Sequence, residues 1–158
     1  MSIKDFPNER MIRYFETNEE VRMGSFKLLD HTELRYIGVL LIMVGNFTTE
    51  KIRTKIYSSA NYDPNSLLYT SDWQNLIVAS NTNWHGWLLT KFNGEMINKN
   101  LTYYLSCEIN NYTRNLYSKY FSLCYDCPEP IYGGDPNVYL NNPLAFKIIC
   151  DEKLDDYE

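Results

Sequence analysis

The chain has 158 residues, of which 44% are hydrophobic and 15% aromatic, and it carries a formal net charge of −5. This length and apolar content suit a single domain with a substantial core, and they exclude a disordered or collagen-like chain. Lysine and arginine are dispersed along the sequence. This argues against nucleic-acid binding, because phosphate recognition needs a concentrated basic face.

Residues 1–19 are mixed and charged, and they read as an arm that precedes the domain. Burying four or five of their apolar side chains is worth on the order of 6–12 kcal/mol before ordering costs. We therefore predict that the arm contacts a neighbouring subunit or another partner. No apolar segment of the secretory kind is present, so we expect a protein that is not exported. The predicted anchors are Phe6, Met11, Ile12, Tyr14 and Phe15.

Two strands are predicted between residues 20 and 45. In "EEVRMGSFKLLD" (19–30), Val21 and Met23 alternate with their neighbours in the period-2 pattern of a strand. The apolar run "YIGVLLIMVG" (36–45) favours a strand buried on both faces, a short buried helix being the alternative. It is too short to cross a bilayer as a helix, so no membrane partner is expected.

The clearest alternation lies in "EKIRTKIYSS" (50–59), which predicts a strand with one apolar and one basic side. Asp63-Pro64 marks a turn after it, and residues 67–80 contain one or two short strands. The residues predicted to point inward are Ile52, Thr54 and Ile56, and those predicted to point outward are Lys51, Arg53 and Lys55.

Two further strands surround a hairpin signal. The first carries Trp84, Leu88 and Phe92 at even spacing and ends at Asn93-Gly94, a dipeptide typical of tight hairpins. The second is "LTYYLSCEI" (101–109), which is predicted to have one inward-facing side. The inward residues of this strand are Tyr103, Leu105, Cys107 and Ile109.

Strands are also predicted in "LYSKYFSLCYD" (116–126) and "LAFKIICDE" (144–152), separated by a Pro- and Gly-rich loop. No segment sustains a period of 3.6 residues. The sequence therefore predicts an all-β sandwich or barrel formed by residues 20–150, with an acidic tail at 151–158.

The chemistry-bearing residues do not assemble into a known catalytic or metal-binding motif. "CYDC" (124–127) has the spacing of half a zinc site, but no second CxxC completes it. Cys107 and Cys150 occupy inward strand positions and are expected to be buried, reduced thiols. Because His31 and His85 also lie in no zinc-binding pattern, we expect neither metal nor cofactor.

Two carboxylates and three aromatic residues remain as candidates for function. Glu108 and Asp126 would serve glycoside hydrolysis only if they faced each other across a cleft, and exposed strand charges are the simpler interpretation. Trp84 and Trp87 have opposite parity on one strand, so they cannot both face one core. Together with Tyr132, they are candidates for stacking on sugar rings or anchoring a protein partner, unless they fill the core.

The order of five segments resembles the jelly-roll β-sandwich modules of phage tail, fibre and head-surface proteins. The resemblance covers about residues 20 to 150. Where that family has a glycine in the turn before the tyrosine-rich strand, this chain has Asn100, which tolerates the left-handed conformation. The segments are "KIRTKIYSS" (51–59), "DPNSLLYTS" (63–71), "WLLTKFN" (87–93), "INKNLTYYLSCEI" (97–109) and "NPLAFKIIC" (142–150).

The resemblance implies a single jelly-roll domain and no catalytic residues. It leads us to expect a non-enzymatic structural component of a phage or similar virus particle, located in the virion after synthesis in the host cytoplasm. Such a component would contact other capsid or tail proteins and form a homo-oligomer. The alternative is a carbohydrate-binding attachment module, and fold-level likeness alone does not decide between the two.

Overall fold

The computed structural model describes residues 2–5, 9–15, 17–29, 32–45, 47–76, 83–113, 120–126 and 146–151. These residues form eleven strands and a short 3-10 helix at Pro64–Ser66. No helix in this described part of the chain is long and apolar enough to span a bilayer. The strands are β1 (Ser2–Asp5), β2 (Glu9–Tyr14), β3 (Glu20–Lys27), β4 (Thr32–Val44), β5 (Lys51–Tyr57), β6 (Leu67–Thr70), β7 (Gln74–Asn75), β8 (Asn83–Ile97), β9 (Thr102–Asn110), β10 (Tyr120–Asp126) and β11 (Phe146–Asp151).

The strands form two antiparallel sheets that pack against each other. In the six-stranded sheet the order is β1-β11-β4-β10-β2, and β8 pairs with the other side of β4. In the five-stranded sheet the order is β3-β9-β5-β6, and β7 also pairs with β5. The predicted all-β sandwich is therefore confirmed.

In three places, two short strands lie end to end and together fill one strand position of their sheet. β10 and β11 lie in line along one side of β4, with Leu123 opposite Leu41 and Phe146 opposite Val39. β2 and β1 lie in line beside them, and β6 and β7 lie along one side of β5. If each of these pairs is counted as one strand position, the positions can be numbered one to eight along the chain. The six-stranded sheet then contains positions one, eight, three and six in spatial order, and the five-stranded sheet contains positions two, seven, four and five. This alternation between sheets is the order of a jelly roll.

Alternating side chains of the central strands fill the space between the sheets. On β5, Ile52, Thr54 and Ile56 are fully buried, as predicted. The inward side of β9 is buried as predicted, and so are Cys107 and Cys150, both free thiols. Aromatic rings join the two sheets, because Phe26 of β3 stacks on Tyr103 and meets Phe146 of β11 edge-on at 6.1 Å.

A pair of hydroxyl groups lies within this apolar core. Thr54 of β5 and Thr90 of β8 are both fully buried, and their Oγ1 atoms are 2.6 Å apart. Thr90 donates its proton to the carbonyl oxygen of Ile37 at 2.9 Å, so Thr54 donates to Thr90. The two sheets are thus joined by a hydrogen bond whose donor and acceptor are both removed from water.

The prediction of an arm outside the sandwich is corrected by the strand pairing of residues 2–14. β1 pairs with β11 and β2 pairs with β10, so this segment forms the first strand position of the jelly roll. Met11, Ile12 and Tyr14 lie in β2. Phe15 is fully buried in the core and cannot anchor a partner. Phe6 lies outside the described residues.

Asn93-Gly94 is a bulge within a strand, and the hairpin prediction is wrong. β8 continues through both residues to Ile97, and its register with β4 shifts between Leu34 and Tyr36. Gly94 has a φ of +86°, and a Cβ there would lie 2.9 Å from Nη1 of Arg35. The bulge needs the same left-handed glycine as a hairpin, which explains the false signal.

The turn between β8 and β9 has the conformation predicted from Asn100. This residue has a φ of 62°, and its backbone N–H donates to the carbonyl of Leu28 at 2.9 Å. The turn carries the chain from the six-stranded sheet to the five-stranded one. An asparagine therefore provides the left-handed position here.

Replacing Thr90 with valine should destabilise the protein by about 1–3 kcal/mol, because it leaves the buried Thr54 hydroxyl without an acceptor. Adding Thr54→Val should recover part of this loss, since both hydroxyls are then absent. Urea unfolding of the two single variants and the double variant measures the coupling. Thr102→Val, at an exposed position, is the control. If the stability changes of the two single variants simply added up in the double variant, the pairing of Thr54 with Thr90 would be contradicted.

Replacing Phe15 with alanine should destabilise the protein by about 3–5 kcal/mol, since it opens a cavity in the core. Leu29→Ala is the control: Leu29 is 79% exposed, so its loss should change stability by less than about 0.5 kcal/mol. Thermal unfolding followed by circular dichroism compares the two variants. Equal stability of both would return residues 1–19 to the role of an arm outside the fold.

Candidate functional site

The outer side of the five-stranded sheet carries a row of charged residues, which we call the polar face. Inward placement of Thr54 turns its neighbours Arg53 and Lys55 outward, as the period of the strand requires. The register places Glu20 of β3 and Arg53 of β5 on either side of Glu108 of β9. Three adjacent strands thus bring opposite charges side by side. The polar face comprises Glu20, Arg53, Lys55, Tyr57 and Glu108.

Ion pairs connect these side chains into one network. Arg53 Nε lies 2.5 Å from Glu108 Oε1. Lys55 Nζ lies 2.9 Å from Glu20 Oε1 and 3.4 Å from Glu108 Oε2, and only 14% of the lysine side chain is exposed. Lys55 therefore bridges the two carboxylates and prevents their mutual repulsion.

Tyr57 completes the network at Glu20. Its hydroxyl donates to Glu20 Oε2 at 2.6 Å. Burial raises the pKa of Glu20, but the hydrogen bonds from Tyr57 and Lys55 and the lysine charge outweigh it, so that pKa lies below its ordinary value. Burial, together with the adjacent Glu20 carboxylate, strongly raises the pKa of Tyr57. Tyr57 thus remains a hydrogen-bond donor, and Glu20 remains charged at neutral pH.

Trp73 lies at the end of the polar face, beside Arg53. The Arg53 guanidinium carbon lies 4.2 Å from the centroid of the Trp73 ring, in a cation–π contact. The segment leading to Trp73 is held on β5, because Ser71 N–H donates to the Thr54 carbonyl at 2.9 Å and Ser71 Oγ accepts from Thr54 N–H at 2.9 Å. Trp73 is nevertheless 36% exposed.

A cleft of about 260 Å³ opens beside this stacked pair. Its walls combine an indole ring, a guanidinium, carboxylates and side-chain amides. Such a mixture provides hydrogen-bond donors and acceptors next to an apolar surface, as ligand sites do. The lining residues are Asn18, Glu19, Glu20, Arg53, Trp73, Glu108, Ile109 and Asn110.

A second aromatic group borders the polar face at its other end. Tyr62 adopts a left-handed φ of 55°, and its hydroxyl donates to the Leu105 carbonyl at 3.0 Å. Its ring meets Tyr57 edge-on at 5.2 Å, and Arg22 lies 4.8 Å above its centroid. These contacts hold an uncommon backbone conformation for a non-glycine residue.

The two tryptophans predicted to face a ligand, Trp84 and Trp87, are not among the residues that line this cleft. Trp87 is half-buried on β8, in the six-stranded sheet, and Trp84 lies on the same strand opposite Met43. Tyr132 lies outside the described residues. Trp73 was missed by sequence reasoning, because a single tryptophan between two short strands shows no periodicity that would assign it a face.

The described residues show no group suited to metal binding, and they do not bring together the two carboxylates considered for glycoside hydrolysis. No group of three or more His, Cys, Asp or Glu side chains among them could hold a metal ion. Glu108 lies in the five-stranded sheet and Asp126 in the six-stranded sheet, so the register does not pair them. What the polar face offers chemically is fixed donors, acceptors and an indole surface.

Comparisons with family models, with curated proteins and with solved structures find no match to this chain. The site must therefore be interpreted from its own geometry.

Stability should fall more steeply with acid in the wild-type protein than in a Tyr57→Phe variant. Because the folded-state pKa of Glu20 is below its ordinary value of 4.5, its stabilisation is present above that value and is lost as the pH falls through the lowered pKa. Removing the Tyr57 hydroxyl removes a hydrogen bond that lowers the pKa of Glu20, so less of this stabilisation depends on pH. Urea unfolding midpoints between about pH 7 and pH 3 measure the difference.

Tyr104→Phe is the matched control for this measurement. Tyr104 lies on the same side of β9 as Glu108, and its ring contacts Tyr62. This variant should retain the wild-type pH dependence. Identical acid profiles for Tyr57→Phe and the wild type would contradict the stabilising role of the hydrogen bond to Glu20.

Proposed function

We propose that this chain is a non-enzymatic structural component of a phage or similar virus particle, associated with the capsid or tail. The observation that carries the proposal is the jelly-roll strand order, which the resemblance to phage modules leads one to expect. Jelly rolls are common in viral capsid proteins. The fold alone does not fix a function, so the proposal also draws on the five segments that carry the resemblance.

The proposed role requires contacts with other virion proteins and with further copies of the chain. β2 pairs only with β10 among the described strands, so it lies at an edge of the six-stranded sheet. Edge strands are available for pairing with another chain. Met11, Ile12 and Tyr14 on this edge therefore stay our predicted partner contacts, in a symmetric oligomer.

A second candidate function is recognition of a glycan, and the cleft beside Trp73 favours it. Exposed aromatic rings next to hydrogen-bonding side chains can stack on sugar rings while the polar groups bind their hydroxyls. The two functions are compatible, because an attachment protein of a particle can use one surface for assembly and another for its receptor.

Purified particles test the main proposal. Virions from the culture that carries the gene would be isolated on a density gradient, washed in high salt and analysed by quantitative mass spectrometry. We expect the chain to sediment with intact particles at a fixed ratio to the major capsid protein. Its recovery only in the soluble fraction of the lysate, with none in washed particles, would falsify a structural role in the virion.

A further inference from the structure

We propose that the cleft beside Trp73 binds a neutral glycan through one pyranose ring, with Trp73, Arg53, Asn18 and Asn110 as the binding residues. This inference rests on the second candidate function, glycan recognition, and it names the site and the class of sugar. Three features of the cleft support it: the hydrogen-bonding atoms that are already used, the charge of the lining, and the size of the cleft.

The cleft presents donors that have no acceptor within the described part of the chain. Arg53 uses Nε for Glu108, and its Nη atoms donate to no other described group. Asn18 accepts from the backbone N–H of Tyr112, and Asn110 accepts from that of Asn111, each at 2.9 Å. These bonds fix the amide oxygens and so identify the unused groups as the side-chain NH₂ donors.

The acceptors of the cleft are carboxylates. Glu19, Glu20 and Glu108 line it. The oxygens of Glu20 and Glu108 already accept from Tyr57, Lys55 and Arg53. Each carboxylate oxygen can accept a second bond, so sugar hydroxyls can donate to these oxygens while accepting from amides and guanidinium groups. A ligand with only donors would leave the amide and guanidinium N–H groups of the cleft without an acceptor, which is costly on desolvation. Hydroxyl groups satisfy both kinds.

Charge selects a neutral ligand over an acidic one. The lining contains three glutamates and one arginine, and Lys55 adds one positive charge from between Glu20 and Glu108. The balance remains negative, so the carboxylate of a sialic or uronic acid would meet repulsion. A neutral hexose carries no charge and meets no such repulsion.

The shape of the cleft also suits a sugar ring. Its volume of about 260 Å³ is below the range of roughly 300–1,000 Å³ typical of drug-sized ligands. Trp73 provides an apolar surface for the C–H groups of a pyranose, and its contact with Arg53 orients the indole before binding. Because Arg53 is in turn held by Glu108, less side-chain entropy remains to be lost on binding.

The test begins with the full chain on a glycan array that contains neutral, sialylated and uronic oligosaccharides. The strongest neutral binder is then titrated calorimetrically against the wild type and two variants. Trp73→Ala removes the stacking surface. Asn110→Asp keeps the oxygen that accepts from Asn111 N–H but replaces the NH₂ donor with a carboxylate oxygen.

Two variants outside the cleft serve as matched controls. Leu68→Ala removes another exposed apolar side chain, 44% exposed, from the same sheet. Asn98→Asp makes the same amide-to-carboxylate change beyond the opposite end of β9. Thermal unfolding of all four variants confirms that each is folded at the titration temperature.

We expect Trp73→Ala and Asn110→Asp to weaken binding by about tenfold or more, and both controls to stay within about twofold of the wild type. Binding that survives both cleft substitutions would overturn this site while leaving glycan recognition in place. A preference for acidic glycans would overturn the neutral class. If no glycan on the array is bound, glycan recognition itself is overturned, and the proposal of a virion component is unaffected.

Discussion

The hydrogen bond between Thr54 and Thr90 ties the two sheets together within the core, and the rest of the molecule depends on how the sheets face each other. A buried hydroxyl pair is directional, whereas the hydrophobic effect that buries the surrounding side chains is not. The bond forms only when β5 and β8 are held at one relative position. The bond requires Thr54 to point inward, so its neighbours on β5 point outward, because side chains alternate along a strand. The polar face is therefore a consequence of the core.

The ion pairs of the polar face contribute more to organisation than to stability. Partly exposed pairs of this kind are each worth about 0–1 kcal/mol, so the network is a small part of the folding free energy. Its effect is geometric. Lys55 holds the carboxylates of Glu20 and Glu108, which would otherwise repel, and Glu108 fixes the Arg53 guanidinium that stacks on Trp73. Side chains with many rotamers are thereby held in one arrangement on an otherwise open sheet.

Sequence reasoning succeeded where a pattern was local and failed where pairing was distant. The alternation in residues 51–57 and 102–110 identified two central strands with their correct inward sides, and it placed Cys107 in the core. Residues 2–14 gave no comparable signal, because their strand character comes from pairing with β10 and β11 at the far end of the chain. Asn93-Gly94 was misassigned since bulges and hairpins both need a left-handed residue. Trp73 depended on contacts with Arg53 that no periodicity in the sequence reveals.

The shared position of β10 and β11 has a consequence for how this chain can change. Leu123 of β10 and Phe146 of β11 lie opposite residues of β4 that are only two apart, Leu41 and Val39, so the chain leaves β4 and returns to it at nearby points, with a stretch of sequence between the two strands. Altering the length of that stretch leaves the order and register of every strand as it is, and the entropy of closing a loop rises only slowly with its length. The jelly roll is thus open to insertion at this point. New sequence can be inserted there, by evolution or by engineering, without changing the packing of the core.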